Sequence, residues 1–286
     1  MTQEKKVIGD RRIVSTNIDR RQCKRVVPMK VLCLGLSRTG TSSLRQALLD
    51  LGYSDVYHMA SAMNENPKDC EMWIDAYKAI KDGQGTWGRE EWDQLLGHCM
   101  AVTDNPCITF SRELIATYPE AKVILTVRDN ADAFYKSNME TIYAYGYKWH
   151  AYRGPLVAFY RWLQGPRPLR LQMLARCWHD AGYLDFPEKG KQMYYEHNEM
   201  IKSLVPADKL LVYNLKEGWG PLCAFLGEEV PERPFPKVND METTRQNAEF
   251  GERMFMMLAA VNGLKLLAKV GAVAAAAYVV ASRLRR

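Results

Sequence analysis

Residues 29–52 read MKVLCLGLSRTGTSSLRQALLDLG, and three patterns follow one another in that stretch. Residues 29–36 are a short apolar run rich in β-formers, the pattern of a strand buried on both faces. Residues 42–51 set Leu44, Ala47, Leu48 and Leu51 at spacings of three and four, the stripe of an amphipathic helix that Gly52 closes. Between them, Gly35-Leu36-Ser37-Arg38-Thr39-Gly40-Thr41-Ser42 has the glycine spacing of the phosphate loop GxxxxGK[ST], with Thr41 in the place of the lysine. Glycines let backbone N–H groups converge on an anion, and a helix N-terminus adds partial positive charge. Ser37, Thr39, Thr41, Ser42 and Ser43 bring hydroxyls, and Arg38 brings a charge that forks onto two oxygens. Without the lysine that NTPases place on the β/γ-phosphates, the stretch predicts anion binding rather than ATP hydrolysis. A strand–helix turn with no ligand is the competing reading. A dinucleotide site is not expected here, because GxGxxG needs glycine where Ser37 stands.

Outward from this unit, Ala101–Thr103 predicts a short strand that ends at Asp104-Asn105-Pro106. Residues 110–118 predict a helix, 121–127 (AKVILTV) a buried strand and 132–143 a helix. Residues 149–180 predict helical structure broken at Pro155, Pro166 and Pro168; residues 190–204 predict a helix, Leu210–Tyr213 a strand and 221–226 a short helix. Strands alternating with helices imply a parallel sheet wrapped by helices, an α/β fold.

Of the 286 residues, 47% are hydrophobic and 25% charged, which excludes a disordered or collagen-like chain. The seven cysteines are odd in number and scattered, with no CxxC pair, which argues against a disulfide framework and a structural zinc site. No apolar core of signal-peptide length opens the sequence, so the chain is expected to begin in a reducing compartment. The net charge of +6 is uneven: residues 1–30 hold nine Lys/Arg and three Asp/Glu, residues 256–286 five and none, and the stretch between is acidic. A nucleic-acid binder carries its basic patch on the folded body, so no nucleic-acid partner is expected. Basic ends suit solvated tails or a surface or membrane-facing tether. The five histidines form no HxxxH or HExxH, so no metal is expected; His58 reads as a core or surface histidine, although it follows the first helix, and Trp219 as packing.

The loop LSRTGTSSL resembles the 5′-phosphosulfate loop of the P-loop sulfotransferases, which use 3′-phosphoadenosine 5′-phosphosulfate (PAPS) as sulfuryl donor, and the likeness is greatest to a branch abundant in fungi. VILTVRDNADAFYKS (123–137) resembles that family's 3′-phosphate segment, AVTDNP (101–106) the segment carrying the general base, and residues 209–240 its C-terminal strand–helix region with the closing FPxxN stretch. The resemblance covers about residues 29–245 and implies a three-layer P-loop fold with a central, mostly parallel sheet. It implies that Ser37, Arg38, Thr39, Gly40, Thr41 and Ser42 hold the 5′-phosphosulfate, that Arg128 and Ser137 hold the 3′-phosphate, and that Asp104 and Arg38 are catalytic. It also implies an unidentified small-molecule hydroxyl acceptor. From the residues alone, Asp104 is equally an Asx turn or helix cap ahead of Pro106, and Arg128 a local ion pair with Asp129. The family's better-known branch has histidine at position 104; a carboxylate serves there if it is held within hydrogen-bond reach. Asn130 and Ala131 stand where this branch often has proline, and Asn105 where an aromatic is expected. A P-loop kinase or NTPase, and a non-catalytic membrane-tethered nucleotide binder, are the alternatives.

The chain thus divides into a basic arm (1–28), a sulfotransferase-like domain (29–250) and a C-terminal amphipathic or membrane-anchoring helix (251–286). The tail's uncharged run, 270–282, is 13 residues long, short of the roughly 18–20 of a spanning helix. Asn262, Lys265, Lys269 and Arg283 fall on one narrow helical stripe, which suits an interfacial helix, a transmembrane helix whose lysines snorkel, or a helix packed on the domain. The expected location is the cytoplasmic face of a membrane, or otherwise the cytoplasm.

Overall fold

The computed structural model describes residues 15–144 and 169–238, together with 257, 260–268 and 271. Two compact units divide the chain, Met1–Glu140 with Pro168–Val238, and Thr141–Arg167 with Asn239–Arg286. The first holds a sheet of five parallel strands, β1 (Val31–Cys33), β2 (Val56–Tyr57), β3 (Ala101–Thr103), β4 (Lys122–Thr126) and β5 (Leu210–Tyr213), in the order β2-β3-β1-β4-β5. The helices of this unit are α1 (Thr41–Asp50), α2 (Asp69–Ala76), α3 (Arg89–Leu96), α4 (Ser111–Thr117), α5 (Ala131–Asn138), α6 (Leu169–Asp180), α7 (Phe186–Leu204) and α8 (Trp219–Leu226). The α/β fold with a parallel central sheet is the one the strand–helix alternation implies.

Alternation along β1 builds the layers. Leu32 and Leu34 face a core with Trp73, Trp92 and Phe110, while Val31 and Cys33 face one with Leu44, Leu48 and Leu222. Successive side chains point to opposite sheet faces, so a continuous apolar run is what a strand covered on both sides requires. Residues 34–36 leave the sheet to build the loop, which is why β1 is shorter than the eight-residue run. The helix foreseen at 110–118 is α4, entered through a 3₁₀ turn at Cys107–Phe110. The one foreseen at 132–143 is α5, continued by a π-helical turn at Met139–Tyr143. Of the helical stretch foreseen at 149–180, α6 is seen, and residues 145–168 lie outside the described part.

The basic arm is tied down where it is described. Arg20 pairs with Asp69 at 3.2 Å, Arg21 with Glu71 and Asp75, and Arg25 with Asp93 and the Tyr118 hydroxyl. Asp69 is buried among Arg20, Asn66 and Tyr57, and desolvation, the largest influence on it, outweighs these partners and pushes its carboxyl up to about 6. A carboxyl raised on folding binds its proton more tightly in the folded state. Its contribution is therefore fully favourable below the unfolded value near 4 and is lost as pH rises through 6, an effect on the order of 3 kcal/mol. Asp69→Asn removes this dependence, so urea denaturation from pH 4 to 7 should show the wild type losing stability relative to the variant; parallel curves would refute it.

The transmembrane reading of the tail is corrected. Among the described residues no helix is long and apolar enough to cross a membrane. Residues 260–268 are helical and carry Asn262 and Lys265, which break the apolar run. Most of the uncharged run 270–282 lies outside the described residues.

Candidate functional site

In the strand order, β1 is flanked by β3 and β4, so the chain leaves the sheet in different directions on either side of β1. Open α/β sheets bind ligands in the crevice at the carboxyl ends of strands at such a point. Four strands deliver the candidate residues there: β1 leads into the loop, β2 into His58, β3 into Asp104 and β4 into Arg128.

The loop is held from below and behind. Thr39 Oγ1 donates to Leu36 O and meets Thr126 Oγ1, and His197 Nε2 donates to Leu34 O. Burial lowers the His197 pKa, favouring the neutral ring. Gly40, at φ 103°, lies in the left-handed region that glycine enters without cost, and it starts α1 with no side-chain cap. Gly40 has no side chain to cap the first N–H groups of α1, the arrangement that favours an anion. Arg38 is 7% exposed and has a positive φ of 72°. Its Nε lies 3.4 Å from Ser137 Oγ on α5, and Arg128 Nε donates to its carbonyl at 2.6 Å. Tyr194 on α7 clamps the Arg128 backbone from both its N–H and its C=O. The loop, Arg128 and Ser137, far apart in sequence, meet in one place.

Asp104 is the second positive-φ residue that is not glycine, at 61°, and is 8% exposed. Such conformations cost energy and cluster at functional sites. Its Oδ1 accepts from Ser37 Oγ at 2.5 Å, and its Oδ2 lies 3.3 Å from His58 Nε2. The turn and helix that follow have no side-chain cap, so the carboxylate points across to the loop rather than back onto its own segment. Asn105 Nδ2 donates to Ser37 Oγ, and Thr109 Oγ1 donates to Asn105 Oδ1, both at 3.0 Å. The Asn105–Pro106 peptide is cis.

Several residues take places that the sequence did not announce. His58, read as a core or surface histidine, contacts Asp104 and Ser42 Oγ; its one sequence signal was its position after the first helix. Asn105 has become part of the Ser37–Asp104 network. Asn130, where proline is usual, caps α5 by accepting from Ala133 N–H. Trp219 packs on Phe235 and donates to Arg233 O, a structural role. Among the described residues, Asp55, His98 and Cys99 are close enough to share a metal ion. They precede β2 and β3, at the opposite end of the sheet from the loop; burial pushes the Cys99 thiol well up, and Arg20 sits on His98.

Comparison with known proteins identifies the family. The family model described as a sulfotransferase domain matches residues 30–244. The chain is 34% identical over 215 residues to "Ava biosynthesis cluster protein M" of Aspergillus versicolor, covering 73% of this chain and 80% of that protein. With three quarters of its length matched by the family, and its loop, Arg128 and Asp104 gathered at one end of the parallel sheet, the chain belongs to the sulfotransferase family.

Proposed function

We propose that the protein moves a sulfuryl group from PAPS to the hydroxyl of a small molecule. The observation that carries this reading is the Asp104 carboxylate hydrogen-bonded to Ser37 across the anion loop, with Arg38 and Ser137 beside it. The loop amides at the start of α1, with Thr39, Thr41 and Ser42, hold the 5′-phosphosulfate, and Arg128 and Ser137 hold the 3′-phosphate. Asp104 takes the acceptor's hydroxyl proton as that oxygen attacks sulfur. The new S–O bond forms while the S–O bond to the 5′-phosphate breaks in line, and adenosine 3′,5′-bisphosphate leaves. Arg38 and the loop amides stabilise charge on the sulfuryl oxygens and on the departing phosphate. The name of the Aspergillus versicolor relative, a biosynthesis cluster protein, supports a small-molecule acceptor.

Calorimetry with adenosine 3′,5′-bisphosphate, and with ATP in the presence and absence of Mg²⁺, tests the donor. Metal-independent binding of the bisphosphate, with ATP at least tenfold weaker, is expected. Preference for ATP with Mg²⁺ would replace this reading with a kinase.

A further inference from the structure

The ring of His58 lies between the two halves of the site. Its Nδ1 accepts a hydrogen bond from Ala60 N–H at 3.1 Å, so in the neutral ring the hydrogen is on Nε2. Nε2 faces Asp104 Oδ2 and Ser42 Oγ, each at 3.3 Å. A second proton on Nδ1 would point at the Ala60 N–H and forfeit that bond, so the local geometry favours a neutral imidazole that donates from Nε2. On the other side of the carboxylate, Asn105 donates to Ser37 Oγ, which directs the Ser37 hydrogen to Asp104 Oδ1.

We propose that His58 is a positioning residue: as a neutral Nε2–H donor it fixes the Asp104 carboxylate from the side opposite Ser37, and by donating to Ser42 it turns that hydroxyl's hydrogen toward the bound anion. This rests on the reading of Asp104 as base. Nε2 lies 3.3 Å from both neighbours, so one ring borders the base and the anion loop. Among the described residues, Tyr183, Cys107 and Cys177 also act electrostatically with Asp104. Burial pushes all three up, Cys177 to about 12, so they stay protonated at neutral pH.

The direct test is the ring nitrogen NMR spectrum of the ¹⁵N-labelled full chain between pH 5.5 and 8. The His58 resonances should show the Nε2–H tautomer throughout, and Asp104→Asn should move the Nε2 resonance while leaving Nδ1 hydrogen-bonded. An Nδ1–H tautomer, an imidazolium, or no response to Asp104→Asn would overturn the proposal. In activity, with PAPS and the most reactive member of a phenol panel, His58→Phe should lower kcat by about tenfold to a hundredfold, the scale of a lost hydrogen bond to a charged group. It should also move the acid limb of the rate profile to higher pH, because the carboxylate loses a donor that favours its charged form. His58→Gln, which keeps a donor, should restore most of the rate. Equal losses in both variants, with an unshifted profile, would mark a purely structural ring. Bisphosphate calorimetry on the wild type separates the two ideas: absent binding sinks the sulfuryl-transfer reading, while the tautomer still reports on the His58–Asp104 contact.

Discussion

If Asp104 is the base of the proposed sulfuryl transfer, Asp104→Asn should nearly abolish that activity while leaving the proposed nucleotide site intact. Asparagine is close to aspartate in size and, like it, enters the left-handed region more readily than most residues, so the backbone at φ 61° is kept. Its side-chain oxygen still accepts from Ser37. What disappears is the capacity to take a proton, and general-base catalysis is worth about 10²- to 10⁴-fold. The expected result is a fall in kcat of that size with adenosine 3′,5′-bisphosphate affinity within about threefold of wild type, read by calorimetry on the same preparation. Asp104→Ala is a poorer test, since alanine is strained at this φ and leaves Ser37 and His58 without their acceptor. If Asp104→Asn retains full activity, the carboxylate is an organiser of the loop and the proton leaves by another route.

The legible parts of this chain were those with a period. β1, α1 and β4 announced themselves because a strand buried on both faces and an amphipathic helix have unmistakable patterns, and Arg38, Arg128 and Asp104 follow strand ends where ligands gather. Residues 53–100 were harder to read in part: β2 is two residues long, and the helical turns at Ser61–Glu65 and Tyr77–Lys81 are π-helical, so no 3.6-residue stripe runs through those turns, although α3 carries one in Trp92, Leu95 and Leu96. His58 was lost with that segment, since its role depends on where a two-residue strand ends. Ser37 was read as a phosphate ligand; its hydroxyl also donates to Asp104, a contact set by the parallel pairing of β1 with β3, which sequence spacing does not encode. The basic arm was taken for a tail or tether because its partners, Asp69, Glu71, Asp75 and Asp93, lie some fifty to seventy residues away. The alanine-rich tail invited a membrane helix through low polarity rather than sufficient apolar length.

Gly35→Ala should damage stability and binding together, and more than any other single methyl added to the loop. A Cβ at position 35 would sit 2.0 Å from Thr126 Oγ1, 2.5 Å from Thr126 O and 2.6 Å from Thr126 N. The hydroxyl can rotate away, but the two backbone atoms belong to β4 and cannot. Relief requires β1 and β4 to part where Leu34 N–H donates to Ile124 O at 2.9 Å, the last rung before the loop. Overpacking of this kind costs about 1–3 kcal/mol, a fall in Tm on the order of 2–6 °C at this chain length. The same movement lifts Ser37 and Arg38 from their partners, so bisphosphate affinity should drop at least tenfold even below the unfolding range. Gly40→Ala is the milder case: its φ of 103° is unfavourable, yet the nearest atoms are the flexible end of Leu215. Gly220→Ala is the control, because its Cβ meets nothing within 4 Å and alanine is the better residue in a helix. Tm by calorimetry and bisphosphate affinity on the three variants should therefore rank Gly35→Ala worst on both axes and Gly220→Ala indistinguishable from wild type. A Gly35→Ala protein with unchanged affinity would mean that the loop's position is set by Arg128 and His197 beneath it, and not by the close approach of β1 to β4.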